Sequence, residues 1–107
     1  MEESILATVK RLLLIPETDA FFDETLLTAI NVAFFTLNQI GFGPSEIFIV
    51  RDATTKWSDF SPDHELIKTY VGLRVRLIVD PPTYSFVLDS YTKAINEIEW
   101  RLNVQGE

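Results

Sequence analysis

The sequence predicts an all-α fold: a small four-helix domain with one long loop between its second and third helices. Two observations carry this. Pro16, Gly41, Gly43, Pro44, Pro62, Pro81 and Pro82 cut the 107 residues into four segments with few internal breakers. Within each segment apolar residues return every three or four positions, the period of a helix that buries one side. A chain of this length makes one modest core, so residues 1–107 are expected to form a single domain.

The first helix is expected over Ser4 to Leu14, with Ile5, Val9 and Leu12 on one face and Leu6 and Leu13 beside it. Ser4 suits the N-cap, and Pro16 ends the element. The second runs from about Asp23 to Ile40 on the stripe Leu26, Ile30, Ala33, Leu37 and Ile40, widened by Leu27 and Phe34. Asp23 can cap its first turn, Glu24 sits where the helix dipole favours an anion, and Gly41 can take the left-handed C-terminal cap.

Between Gly41 and Pro62 the pattern changes. Gly41-Phe42-Gly43-Pro44 is turn chemistry, and Ile47-Phe48-Ile49-Val50 is a β-prone run, giving a possible short strand near residues 47–51. A loop of about 20 residues is unusual in so small a domain and commonly functional. Ile47, Phe48, Ile49, Trp57 and Phe60 are too apolar for an idle solvated segment, so the 42–61 loop either folds back on the helices or meets another chain.

The third helix is expected from near Pro62 to Val79, capped by Ser61 or Asp63 and stopped by Asp80-Pro81-Pro82. Its stripe is Ile67, Tyr70, Val71, Leu77 and Ile78, interrupted by Arg74. The fourth, from about Tyr84 to Val104, spaces Tyr84, Leu88, Tyr91, Ile95, Ile98 and Leu102 alternately four and three apart, the seam of a helix packed lengthwise on others.

Composition narrows the function classes. With 47% hydrophobic and 23% charged residues the chain has the make-up of a folded domain. Sixteen acidic against nine basic residues leave a formal charge of −7, which disfavours sequence-independent duplex binding, since that affinity comes from cations neutralising phosphates. The lack of cysteine removes disulfides, thiolate nucleophiles and Cys-ligated zinc, and fits a reducing compartment. The acidic start Met1-Glu2-Glu3-Ser4 is unlike a secretory signal, and no apolar run approaches the roughly 18–20 residues of a spanning helix. A soluble protein made and used in the cytoplasm, with no membrane partner, is expected.

Catalytic chemistry is not expected. His64 lies beside Asp63 and Glu65 and near Asp59, but adjacent helical residues point in different directions, and acids in a first turn are explained by the helix dipole. Asp19, Asp23 and Glu24 lack the alternating ligands, central glycine and final glutamate of a calcium loop. No Gly-x-Ser-x-Gly elbow, Gly-rich phosphate loop or His-Glu-x-x-His is present, and Glu97 and Glu99 do not face each other on a helix. No catalytic, cofactor-binding or metal-ligating residue is assigned, and no cofactor is expected.

Two features resist an inert reading. Arg74 and Arg76 stand among apolar residues, and a half-buried guanidinium demands a carboxylate, either Glu97, Glu99 or Asp80 of the same chain or one from a neighbour. Trp100-Arg101-Leu102-Asn103-Val104 joins an aromatic, a cation and aliphatics, types enriched at interfaces, although Trp100 can equally cover the edge of the bundle. The candidate interface residues are Phe35, Phe48, Trp57, Phe60, Arg74, Arg76, Trp100, Arg101 and Val104.

The strings Asp80-Pro81-Pro82-Thr83-Tyr84-Ser85-Phe86 and Asn96-Glu97-Ile98-Glu99-Trp100-Arg101-Leu102-Asn103-Val104, with Asp23-x-x-Leu26-x-x-x-Ile30-Asn31-x-Ala33, resemble the head-tail connector proteins of tailed bacteriophages over nearly the whole chain. That resemblance implies an adaptor or head-completion protein of the virion. Copies of it would assemble as a ring, generally twelve-fold, beneath the portal protein, extend the DNA channel and receive the stopper or tail-completion protein. DNA would be cargo only. A ring subunit needs non-identical complementary faces, and therefore apolar surface beyond what one bundle consumes; the adjacent Phe34-Phe35 and Leu12 to Ile15 supply candidates.

The alternative is a small acidic helical protein that binds and regulates one host or phage protein. It predicts clustered carboxylates, whereas the sixteen here are spread from Glu2 to Glu107. An enzyme, the third possibility, would lose turnover on changing His64 or Asp59.

Overall fold

The computed structural model describes residues 4–43, 46–60 and 65–106, with side chains described as far as Asn103. The expected Ser61 or Asp63 cap, the helix start near Pro62, and His64 lie outside the described residues, as does the Val104 side chain. Four α-helices follow in order, α1 (Ile5–Leu12), α2 (Asp23–Gln39), α3 (Glu65–Val79) and α4 (Ser85–Gly106), with a 3₁₀ turn at Trp57–Asp59. The fold is all-α, as the periodicity predicts, and no strand occurs among the described residues.

Helix α1 starts as expected: the Ser4 hydroxyl accepts the Ala7 N–H at 3.2 Å. It stops at Leu12, two residues short of the expected end, because the chain turns back on itself through Leu14, which adopts a left-handed φ of 62°. The turn lays residues 17–23 over Lys10. The Lys10 ammonium, buried in an otherwise apolar setting, donates to the Glu17 carbonyl (3.2 Å) and the Asp19 carbonyl (2.9 Å) and pairs with Asp23 Oδ1 at 2.6 Å. Two of its donors thus find carbonyl oxygens, and its charge faces the Asp23 carboxylate. Asp23 therefore does not cap α2. It is the first helical residue, the N-cap is Phe22 with no side-chain hydrogen bond, and the carboxylate is committed to Lys10.

Helix α2 buries Leu26, Ala29, Ile30, Ala33, Phe34 and Leu37, packs against both α1 and α3, and ends before Gly41, whose φ of 86° takes the left-handed position expected of it. The long loop folds back onto it. Phe34 meets the rings of Phe48, Phe60 and Trp57 at 4.9, 4.8 and 6.2 Å between centroids, and Trp57 is 1% exposed. Gly43 (φ 92°) passes so close to the Phe60 ring that any Cβ would overlap it.

The run 47–51 forms no strand. The Asn31 carboxamide takes a strand's place: its Oδ1 accepts the Val50 N–H at 2.7 Å and its Nδ2 donates to the Val50 carbonyl at 3.0 Å. Trp57 then ties the end of the loop to α1 by donating its indole N–H to Thr8 Oγ1 (2.9 Å), and Thr8 donates in turn to the Ser4 carbonyl. The polar groups brought inside by the loop are satisfied in this way, as burial requires.

Helix α3 buries Ile67, Tyr70, Val71 and Val75. Val75 replaces Ile78 in the expected stripe: Ile78 is exposed and Leu77 half-buried, because α2 and α4 both contact α3 and turn its buried face toward Val71 and Val75. Only the C-terminal half of the expected α4 seam packs. Ile95, Ile98 and Leu102 are buried, whereas Tyr91 is half-buried and Tyr84 and Leu88 are exposed. At ~1.5 Å per residue a 22-residue helix is about 33 Å long and outruns the 15-residue α3 beneath it. The molecule is flattened, 39 × 35 × 22 Å.

Candidate assembly surface

Eight of the nine candidate interface residues fall into three groups; the ninth, Val104, has its side chain outside the described residues. Trp57 and Phe60 are buried in the subunit's own aromatic cluster, and Phe48 is half-buried on Phe34, so in this conformation they offer little surface to another chain. Phe35, Trp100 and Arg101 are exposed, Trp100 to 68%. Phe35 is turned outward because it follows Phe34 by about 100° around α2, and Phe34 faces the core.

Arg74 and Arg76 part company. Arg74 Nη1 bonds Glu99 Oε2 at 3.2 Å, and the same oxygen accepts the Tyr70 hydroxyl at 2.7 Å. Arg74 also lies 5.7 Å above the Tyr70 ring. Burial first, and then the hydrogen bond to Glu99, push the Tyr70 phenol well above its usual range. The guanidinium thus finds its carboxylate within the chain, as one of the two sequence readings holds. Arg76 finds none among the described residues. Its guanidinium stands 6.0 Å from the Tyr91 ring, and its buried Nε has no hydrogen-bond acceptor. Glu97, another partner considered, pairs with Arg101 at 2.8 Å one helical turn away.

Arg76 borders a cleft of about 470 Å³ between α1, α3 and the start of α4. Leu12, Leu13, Gly72 and Leu73 form its apolar floor, with Arg11, Lys68 and Arg76 on the rim. At Gly72 a Cβ would stand 2.8 Å from Leu12 Cδ1, so the two helices approach closely along this edge of the cleft. Glu65 also lines the cleft and lies 3.7 Å from Lys68. The rim therefore carries both signs of charge among the described residues.

Sequence reasoning passed over a second feature. Phe21 and Phe22 pack edge-to-face, 4.8 Å between centroids, in the loop joining α1 to α2, and Phe21 is 83% exposed. Glu17 and Glu24 beside them are exposed, and Asp19 is half-buried. The available signal was an adjacent aromatic pair, flanked by acids, in a segment claimed by no helix. Tyr84 and Phe86, 6.1 Å apart, make another exposed aromatic pair at the start of α4.

Among the described residues no three His, Asp or Glu side chains converge as metal ligands. Asp59 accepts the Lys56 N–H and so caps the 3₁₀ turn. The Asp52 carboxyl is held below its ordinary range by the Thr54 hydroxyl and amide. No helix among the described residues is long and apolar enough to cross a membrane. What the described surface presents is a set of large exposed aromatic side chains, Phe21, Phe35, Tyr84, Phe86 and Trp100, and an apolar-floored cleft with charges on its rim.

Compared with models of known protein families, residues 5–107 match one described as phage connector protein. Comparison with curated proteins and with solved structures gives no match.

Proposed function

The chain belongs to the phage connector protein family, a structural family of bacteriophage particles, and from that premise we propose that it is a head-tail adaptor that closes into a ring beneath the portal. The ring extends the DNA channel and docks the stopper or tail-completion protein. In the virion it is twelve-fold, following the pattern of head-tail connectors, and it performs no covalent chemistry. Residues 1–107 act as one domain, and Phe35, Trp100, Arg101 and Arg76 belong to its contacts with neighbours.

One observation carries this reading. Phe21, Phe35, Tyr84, Phe86 and Trp100 remain exposed on four separate stretches of chain, after the core has taken Phe34, Trp57, Phe60 and Tyr70. So many large exposed aromatics, spread along the chain, support contacts with more than one neighbour. Contacts on more than one side are what a closed ring with layers above and below it requires. The acidic balance is compatible with a conduit, since a strongly basic wall would retain DNA.

Mass measurement and negative-stain imaging of the chain, alone and mixed with portal protein, test the proposal. Annular particles, or decoration of portal rings, are the expected result. A chain that stays monomeric and ignores portal refutes it.

A further inference from the structure

We propose that residues 47–49 form an open strand edge that takes up an extended segment of the stopper or tail-completion protein through main-chain hydrogen bonds. The inference rests on the connector reading above and names the chemistry of one of its contacts.

Two observations make the backbone here strand-like although no strand is formed. Exposure alternates along it: Ile47, Ile49 and Arg51 are exposed, while Phe48 is half-buried and Val50 is buried, a period of two. The single Asn31 carboxamide bonds both the N–H and the carbonyl of Val50, so the two point to the same side, as they do in an extended residue. Successive residues of such a run turn their main-chain groups to opposite sides. Those of Ile47 and Ile49 therefore point away from Asn31 and α2. None of these four groups has a hydrogen-bond partner among the described residues. Beyond them the edge is closed, because the Arg51 N–H reaches Thr55 Oγ1.

Two donors and two acceptors at strand spacing, beside two exposed isoleucines, match a second extended backbone with apolar residues at alternate positions. A second copy does not supply it. Like segments that pair antiparallel are related by a two-fold axis, which neighbours in a closed ring do not share. Like segments that pair in parallel around the ring would each need both edges, and Asn31 already holds the second one at Val50. Other described non-helical segments are turns: the Asp19, Asp23 and Thr55 N–H groups bond the Pro16, Ala20 and Asp52 carbonyls. Residues 80–84 include Pro81 and Pro82, which have no N–H to give. The incoming segment therefore belongs to another protein. Of the two that the connector reading sets against the ring, the stopper is received after the subunits have assembled, and an edge left open in the subunit suits the later arrival. Three residues make a small contact, but every copy in the ring repeats it.

Hydrogen exchange of the full-length chain, free and with purified stopper or portal protein, tests the proposal when mass spectrometry resolves residues 47–50. In the free chain the Ile47 and Ile49 amides should exchange freely while Asn31 slows Val50; with the stopper both should slow roughly tenfold. Ile49→Pro deletes an outward donor that has no partner in the subunit, and proline favours the extended form at Phe48, so circular dichroism should be unchanged. It should weaken stopper binding about tenfold, whereas Ile49→Thr, which keeps the N–H and a β-branched side chain, should weaken it less than about threefold. Stopper binding without slowing at Ile47 and Ile49 overturns the strand pairing and leaves the connector reading standing, as does undiminished binding by a folded Ile49→Pro chain. Slowing with portal instead of stopper overturns the choice of partner. A chain that binds neither protein and never assembles overturns the connector reading as well.

Discussion

Lys10 does more for this fold than its place in the sequence suggests. Its two hydrogen bonds and one ion pair join the end of α1 to the start of α2, and they bury a charge that is tolerable only because Asp23 and two carbonyls surround it. Lys10→Met should cost about 1–3 kcal/mol in urea unfolding, less than a fully enclosed pair, because Asp23 retains access to water. Tyr70 sets a dependence on alkaline pH. In the unfolded chain its phenol ionises near 10, whereas in the folded chain burial and Glu99 keep it protonated to higher pH. The unfolded state then binds fewer protons, so stability is fully present below about pH 10 and falls as pH rises beyond it. Tyr70→Phe should flatten that fall, as seen in unfolding free energies measured between neutral and strongly alkaline pH.

At the scale of the element, α4 is two helices in one. Its C-terminal half packs on α3 through Ile95, Ile98 and Leu102, and Asn103 donates to the Ile40 carbonyl at 2.9 Å. Its N-terminal half carries Tyr84, Phe86 and Leu88 into solvent. The heptad-like spacing runs through both halves, so spacing alone does not tell them apart. Substitution should: Ile95→Asp places a carboxylate in the core at a cost of several kcal/mol and abolishes cooperative unfolding. Leu88→Asp, seven residues earlier in the same stripe, should change stability by less than about 1 kcal/mol. Equal losses from the two would mean that the N-terminal half is packed as well.

For the whole molecule, the exposed aromatics separate stability from assembly. Trp100→Ala should leave the thermal unfolding of the monomer nearly unchanged, within about 1 kcal/mol, because most of the indole already faces water. The same variant should assemble poorly, as mass measurement or micrographs of portal mixtures would reveal. A large loss of helicity in Trp100→Ala would instead assign the indole to the edge of the core.

Much of this architecture was legible from period and punctuation. The helical segments, the Ser4 cap, the Gly41 turn and the connector resemblance all follow from short-range patterns, because helix signals repeat within one or two turns. The strand suggested for 47–51 shows the boundary: β-propensity describes a willingness to be extended, and Asn31, nineteen residues away, supplied the hydrogen bonds that a strand would have sought. Arg74 and Arg76 were indistinguishable as letters and differ only because Glu99 reaches one of them. The sequence by itself determined which segments are helical and how much apolar surface they carry. The tertiary structure alone decided which of that surface is hidden, which charges meet, and that the long loop closes the core, because burial is set by neighbours distant in the chain.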